Sequence, residues 1–123
     1  MPGSTRRFAI LEHHHQGVHW DFLIEDGDAL RTWAIDAPIV AGADLPAREL
    51  PPHRRIYLNY EGPISGDRGT VRRWDRGECL VLAWDEGRVV VDLRGDQLVG
   101  VADLRRAEDP PSRGWLLRLG KVS

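Results

Sequence analysis

The sequence predicts a mainly β protein: a single small, mostly antiparallel β-barrel, closed or nearly closed, with one long loop and little helix. Short segments that are apolar or alternate between apolar and polar residues recur along the 123-residue chain. Turn-forming residues separate these segments, and almost no stretch shows the 3.6-residue period of a helix. Eight or so strands at this spacing are typical of a barrel or sandwich. A chain of this length buries one core, so residues 1–123 are treated as one domain.

The first part of the chain is predicted to form a hairpin-rich sheet. Predicted strands cover residues 7–12, 18–25 and 29–35. Asp26-Gly27-Asp28 joins the last two, and Asp-Gly is a strong signal for the positive φ angles of a tight hairpin turn. Residues 36–52 contain four of the eight prolines, which predicts a long loop with one helical turn near 44–50. Long loops in compact domains are often functional.

The rest of the chain continues the pattern of short strands. Further strands are predicted at 54–60, 69–75, 79–85, 88–93, 98–104 and 115–119. The predicted turns are 75–77, 85–87 and 94–96, each with aspartate and glycine. Residues 108–112, with two adjacent prolines, are predicted to be a spacer before the last strand.

Composition limits the classes of partner. The formal net charge of -2 and the pI of about 6.2 exclude a strongly basic nucleic-acid coat, so any phosphate site must be local. The single cysteine, Cys79, excludes a disulfide framework and favours a reducing compartment; its apolar neighbours predict that it packs rather than reacts. No apolar stretch reaches transmembrane length and no signal sequence is evident, so we expect a cytoplasmic protein with no membrane partner.

The histidines are the most informative residues. All five lie at two places, four of them within residues 13–19 and the fifth at His53. In a strand, His19 and Asp21 point to one face. Imidazole and carboxylate together are good ligands for Mn²⁺, Zn²⁺ or Fe²⁺, and His13 is placed to complete the set. The plainer alternative is a histidine-rich surface turn in which His19 and Asp21 only pair with each other. Four histidines and an aspartate within residues 13–21 favour the metal site.

Several motifs together resemble the 3′-phosphoesterase domain of bacterial DNA ligase D. The first is His13-x5-His19-Trp20-Asp21-Phe22, followed by Glu25 and then Leu30-Arg31-Thr32-Trp33-Ala34. The later ones fall in the family's order: His53-x3-Tyr57, Tyr60-Glu61-Gly62-Pro63-Ile64, Gly69-Thr70-Val71 and Trp74-Asp75-Arg76-Gly77. The resemblance runs from about residue 7 to residue 104.

The resemblance implies a small β-barrel that uses Mn²⁺ to trim nucleic-acid 3′ ends. Members of this family remove a 3′-terminal ribonucleoside and then the remaining 3′-phosphate. In ligase D the domain is a module beside polymerase and ligase domains, so the resemblance implies nucleic-acid 3′ ends and end-joining repair proteins as partners. By the same resemblance, His13, His19 and Asp21 match the metal ligands, and His53 and Tyr57 match catalytic residues that contact phosphate. Zn²⁺ or another divalent metal also suits this set.

The identity of the first ligand stays open at this stage. His14 and His15 fall where the family is variable, and either would replace His13 if the strand register slipped by one or two residues.

The chain also departs from the family pattern. Leu23 stands where the family has a phosphate-gripping arginine, two residues after the metal-binding aspartate. Leu11 stands where glutamine is frequent, and Pro51 where an acidic residue is expected. Losing a bidentate arginine removes charge stabilisation from a phosphoryl-transfer site. We therefore expect phosphodiesterase activity rather than phosphomonoesterase activity, and a gain on 3′-phosphate ends from Leu23→Arg.

Other arginines are candidates for the missing contact with the substrate phosphate. Arg31 matches a basic position of the family. Arg55 shares a strand face with His53 and Tyr57 if the period of two holds through this segment. Arg54 is a further candidate.

Two functions of different kinds follow. The first is a metal-dependent phosphoesterase that acts on DNA or RNA-terminated 3′ ends. The second is a catalytically degenerate member that binds nucleic-acid ends or repair proteins. An unrelated cupin-like metal barrel is a weaker third interpretation, because cupins usually carry a second histidine late in the barrel and none follows His53.

Overall fold

The computed structural model describes residues 3–107 and 114–120 and contains nine strands and one short helix in this part of the chain. The strands are β1 (Thr5–His14), β2 (Val18–Asp26), β3 (Ala29–Ile35), β4 (Asp44–Arg54), β5 (Gly62–Pro63), β6 (Thr70–Trp84), β7 (Arg88–Gly95), β8 (Val99–Arg106) and β9 (Gly114–Leu119). A single-turn 3₁₀ helix spans Arg55–Leu58. None of the helical residues described forms a segment long and apolar enough to span a bilayer. The predicted spacer at 108–112 lies outside the described residues.

Eight of the strands close into an antiparallel barrel. Their order is β1-β2-β3-β4-β9-β8-β7-β6, and β6 pairs back with β1 along ten residues of β1. The ninth strand, β5, lies outside the barrel and pairs with the first two residues of β6. Closure leaves no long unpaired strand edge among the strands described. The predicted fold class is confirmed.

The predicted long loop at 36–52 is wrong in its second half, and so is the helical turn near 44–50. Residues 44–54 form β4, which lies between β3 and β9. The β3–β4 register jumps from Leu30–His53 to Thr32–Leu50, so Pro51 and Pro52 fall in a bulge. A bulge tolerates residues that have no N–H to donate, and this is why a proline-rich segment can still be a strand here.

The predicted turn at 75–77 is also wrong, since residues 70–84 form one continuous strand. The turn-like residues serve a neighbouring turn instead. The buried Asp75 carboxylate accepts backbone N–H groups of Gln97 and Leu98, between β7 and β8. Gly77 lies where an added Cβ would be 2.1 Å from the Arg94 carbonyl oxygen, so only glycine fits this close approach.

The residues predicted as a strand at 54–60 instead leave the barrel as the 3₁₀ helix. This helix crosses the outer wall of the barrel and buries Leu58 against it. The change of geometry also changes which side chains share a face, with consequences for the site.

The core divides into two apolar clusters on opposite faces of the wall. The larger one takes residues from all eight barrel strands and therefore fills the interior; it includes Phe8, Ile10, Phe22, Trp33, Val91, Leu104 and Leu117. Cys79 belongs to this cluster and is buried, which confirms that it packs; burial also raises its pKa to about 11. The smaller cluster lies on the outside, beneath the 3₁₀ helix and the residues after it: Ala9, Leu11, Leu23, Leu30, Leu58 and Val71.

Candidate functional site

A candidate metal centre lies on the outer face of the β1–β2 hairpin. The register pairs His13 directly with His19, and Leu11 with Asp21. Alternation puts the odd-numbered residues of both strands on the outer face, while Trp20 points into the barrel. The hairpin turn uses left-handed conformations at Gln16 (φ 53°) and Gly17 (φ 111°).

Three possible ligand atoms converge there. His13 Nδ1 lies 3.3 Å from His19 Nε2 and 3.4 Å from Asp21 Oδ2, and His19 Nε2 lies 2.8 Å from Asp21 Oδ1. All three residues offer a ligand atom within 4.8 Å of the others. Asp21 is only 3% exposed, and its Oδ1 receives no aligned hydrogen bond. Two imidazoles and a buried carboxylate on one face form a donor set suited to a divalent cation.

The orientation of the first imidazole is set by a distant loop. His13 Nε2 lies 2.8 Å from the Arg68 carbonyl oxygen, to which it can only donate. This hydrogen bond leaves the lone pair of His13 on Nδ1, which faces His19 and Asp21. A backbone carbonyl on the second ring nitrogen is a common way to hold a metal-binding histidine.

The structure places His13, rather than either following histidine, in the cluster. His14 Nε2 is 2.7 Å from Glu12 Oε2, on the other side of the strand. That hydrogen bond lowers the pKa of Glu12, and Arg72 assists it. His15 is exposed in the turn, and its ring stacks on His13 with centroids 6.1 Å apart. The strand register therefore brings His13 to the cluster without the slip that would put His14 or His15 in its place.

His53 and Tyr57 face the same cavity as the histidine–aspartate cluster. The cavity has a volume of about 430 Å³, and His13 and Asp21 line it together with His53 and Tyr57. Much of its remaining wall is apolar: Leu11, Leu50, Pro51, Pro52, Ile64 and Val71. The two predicted halves of the site, more than thirty residues apart in sequence, thus meet across one cavity.

Two contacts fix the His53 ring. Its Nδ1 lies 2.9 Å from the Pro51 carbonyl oxygen, so Nδ1 donates, and Nε2 has no partner within the described part of the chain. Its ring also meets that of Tyr57 edge to face, with centroids 6.0 Å apart. Although Pro51 replaces an expected acidic side chain, its backbone carbonyl supplies an acceptor to this histidine.

Arg31 does not reach this cavity. It lies on the same strand face as Trp33, toward one end of the barrel interior, and its guanidinium lies over the Trp33 and Trp84 rings. It donates to Glu49 Oε2 at 2.8 Å and to the Asp85 carbonyl at 2.9 Å. Strand alternation points Arg31 to the opposite face of the wall, so the structure does not bring it together with His53 and Tyr57.

Arg55 is also turned away from the cavity. Its guanidinium donates to Glu25 Oε2 at 2.6 Å and to the Gly27 carbonyl at 3.0 Å. The predicted common face with His53 fails because residues 55–58 are helical, so a period of two does not apply. Burial acts to raise the pKa of Glu25, but hydrogen bonds from Arg7 and Arg55 outweigh it and hold that pKa at about 2.

The arginines that do line the cavity are Arg54 and Arg68. Neither has a carboxylate partner among residues 3–107 and 114–120, in contrast to Arg31 and Arg55. Arg54 was one of three candidates from the sequence, whereas Arg68 was not predicted. The sequence offers one indication of Arg68: it lies between two of the segments that carry the family resemblance.

Leu23 shares the outer face with Asp21 but does not line the cavity. It is fully buried in the outer cluster, where Leu11 and Leu58 are among its members. The two leucines that depart from the family pattern thus belong to one apolar cluster. Leu23→Arg would place a guanidinium inside that cluster rather than in an open anion pocket, which removes the basis for the expected gain in activity.

Comparison with known proteins agrees with the motifs. The family model for the DNA ligase D 3′-phosphoesterase domain matches residues 11–106. Similar proteins include the multifunctional non-homologous end joining protein LigD of Mycobacterium bovis and the corresponding DNA repair protein LigD of Mycobacterium tuberculosis. Each is 31% identical over 109 residues. The match covers 81% of this chain but only 14% of each relative, so the similarity concerns one part of a much longer protein.

Proposed function

Because the chain belongs to the DNA ligase D 3′-phosphoesterase domain family, we propose that it is a metal-dependent phosphoesterase that processes nucleic-acid 3′ ends in DNA repair. One observation carries the proposal. His13 and Asp21, which form a cluster with His19, line the same cavity as His53 and Tyr57. A metal-assisted phosphoester hydrolysis requires metal-binding and phosphate-binding groups that face one cavity.

Mn²⁺ is the proposed metal, and Zn²⁺ or another divalent cation is compatible with the same ligands. His13 Nδ1, His19 Nε2 and the Asp21 carboxylate would hold it. When bound, the cation neutralises phosphate oxygens and lowers the pKa of a coordinated water. Asp21 supplies the negative charge of the ligand set, and the Arg68 carbonyl keeps His13 in the tautomer that offers Nδ1.

His53 and Tyr57 act on the substrate from within the same cavity. With Nδ1 engaged by the Pro51 carbonyl, His53 has Nε2 free to donate a proton, when the ring is protonated, to the leaving oxygen. The Tyr57 hydroxyl donates a hydrogen bond to a non-bridging oxygen of the phosphate. The edge-to-face contact between the two rings keeps them oriented together.

The proposed substrate is a phosphodiester at a 3′ end, in particular one with a terminal ribonucleoside. The apolar side of the cavity suits a nucleoside, whose sugar and base offer apolar faces, better than it suits a second dianion. A phosphomonoester carries an additional charge, and the buried Leu23 offers nothing to bind it. End-joining proteins, named in the relatives' descriptions, are the proposed partners.

A second candidate is a binding module for nucleic-acid ends without turnover. The observation that favours it is Leu23, which fills with an apolar side chain the position of a phosphate-binding arginine in the family.

One experiment separates the two candidates. Mn²⁺-loaded protein is incubated with primers that end in a ribonucleotide or a 3′-phosphate, and products are resolved on a sequencing gel. We expect loss of the terminal ribonucleoside, abolished by His19→Ala and Asp21→Asn. His14→Ala is the matched control, because this histidine lies outside the cluster and should leave turnover unchanged. Binding of the primer ends without metal-dependent turnover would instead support the binding module.

A further inference from the structure

We infer that Arg68 holds the substrate phosphate in this cavity, in place of the strand-borne arginine that Leu23 replaces. This inference rests on the proposed function for its substrate. Its geometric basis is independent, because Arg68 is an arginine that lines the cavity and has no carboxylate partner in the described part of the chain.

The Arg68 guanidinium is positioned without being neutralised. Its Nε donates to the Ser65 carbonyl at 2.8 Å, and its Nη2 lies 3.4 Å from the Ser65 hydroxyl. Both partners are uncharged, so the full positive charge remains, and the Nη1 protons have no partner among the described residues. A guanidinium held on one edge and open on the other is ready for the bidentate contact that a phosphate accepts.

The same residue also contacts the candidate metal centre. While the side chain of Arg68 lines the cavity, its carbonyl oxygen accepts the Nε2–H of His13. The loop is closed at its base by a hydrogen bond from Ile64 N to the Gly69 carbonyl at 2.8 Å. One peptide segment therefore fixes a cation and a metal ligand relative to each other, as a site that binds a phosphate oxygen between the two requires.

Arg54 lines the cavity as well, but it is less well positioned. Both side chains are exposed, but Arg54, the last residue of β4, caps the 3₁₀ helix without a side-chain hydrogen bond. Ordering such a side chain on binding costs conformational entropy that the Ser65 contacts of Arg68 have already offset in part. We therefore assign the direct contact to Arg68 and a weaker, longer-range electrostatic role to Arg54.

The test measures binding of inorganic phosphate by calorimetry, with and without Mn²⁺, in wild type and in Arg68→Gln, Arg68→Lys and Arg54→Gln. Loss of a charge-assisted contact should weaken phosphate binding by about 10- to 100-fold in Arg68→Gln. Lysine restores the charge without the planar fork and should recover only part of the loss. Arg54→Gln should lose less than Arg68→Gln. Mn²⁺ affinity should be unchanged in all three variants, because the contact with His13 comes from the backbone.

Arg94→Gln is the matched control. Arg94 is exposed on β7, does not line the cavity and pairs with Asp92, so its loss should not alter phosphate binding. Thermal unfolding of each variant confirms that it is folded. The inference is overturned if wild type binds no phosphate, if Arg68→Gln binds it as tightly as wild type, or if Arg54→Gln loses more.

Activity then separates this inference from the proposed function. If Arg68→Gln loses phosphate affinity but wild type turns over no 3′ end, the proposed function fails and the anion site stands. If wild type turns over 3′ ends and Arg68→Gln does so equally well, the proposed function stands and Arg68 does not hold the substrate phosphate.

Discussion

Leu23→Arg tests whether the outer apolar cluster can accept the arginine that the family pattern places there. Leu23 is fully buried, and the cluster that holds it consists of aliphatic side chains with no described carboxylate beside it. The acidic residues two positions away on the same strand face are Asp21, which belongs to the candidate metal centre, and Glu25, which already pairs with Arg7 and Arg55. A guanidinium at residue 23 would therefore be buried without a counter-charge.

The expected loss of stability is large. An uncompensated buried charge costs about 3–5 kcal/mol, and the larger side chain adds about 1–3 kcal/mol from overpacking. The free energy of unfolding of a domain of this size is about 5–15 kcal/mol. Leu23→Arg should therefore lower the unfolding midpoint by more than about 10 °C, at roughly 3–5 °C per kcal/mol, or prevent folding altogether.

Calorimetry or circular dichroism of purified variants measures the effect. Leu23→Met, which nearly conserves volume, should cost less than about 1.5 kcal/mol. Leu82→Arg makes the same substitution at a residue that is 45% exposed on the outer wall, and should change stability by less than about 0.5 kcal/mol. A Leu23→Arg protein with the wild-type midpoint, or with increased activity on 3′-phosphate ends, would refute this reasoning.

Two further predictions concern ionisable groups away from the cavity. The pKa of Glu25 is lowered from 4.5 to about 2, so its contribution is fully present above pH 4.5 and is lost as the pH falls toward 2. Glu25→Gln should lower the free energy of unfolding by about 1–2 kcal/mol at pH 7, after allowance for its exposed arginine partners, and the difference should vanish near pH 2. In acid titrations, equal differences at both pH values would contradict this assignment. Cys79, buried and with a pKa of about 11, should react with a thiol reagent at pH 8 only as fast as the protein unfolds, and immediate labelling of native protein would show otherwise.

The barrel could be predicted from the sequence because its signal is local and repeated. Alternation and turn residues mark most strands, and β2 and β3 match the predicted segments within one residue. The errors fall where tertiary structure overrides an expectation based on local composition. Prolines suggested a loop at β4, yet two of them sit in a bulge that needs no N–H donor. Asp75 was predicted to form a turn of its own, but its carboxylate instead accepts hydrogen bonds from the backbone of a turn more than twenty residues later.

The difference between local signals and long-range structure also explains which parts of the site could be predicted. His19 and Asp21 lie two residues apart on one strand, so the strand period alone places them on one face, and the hairpin register then adds His13. The arginines depend on longer-range structure. Arg31 points to the opposite face, and Arg55 is redirected by a helical turn. Arg68 is brought to His13, 55 residues away in sequence, by a loop whose path no local pattern indicates.

Gly69 is what allows that loop to reach the candidate metal centre, and Gly69→Ala should therefore weaken metal binding. Its φ is +81°, and an added Cβ would lie 1.8 Å from the His14 carbonyl oxygen, where contacts shorter than 3.0 Å essentially never occur. The loop would have to move by more than 1 Å, enough to break the 2.8 Å hydrogen bond from His13 to the Arg68 carbonyl. Loss of such an orienting contact typically lowers metal affinity by about 10- to 100-fold. Gly66→Ala is the matched control: its φ of +76° imposes the same backbone strain, but its nearest neighbour is a side-chain atom 3.6 Å away. Titration with Mn²⁺, followed by electron paramagnetic resonance, should show weakened binding in the first variant only. Equal affinities in the two variants would mean that the contact between this loop and His13 does not matter for the metal.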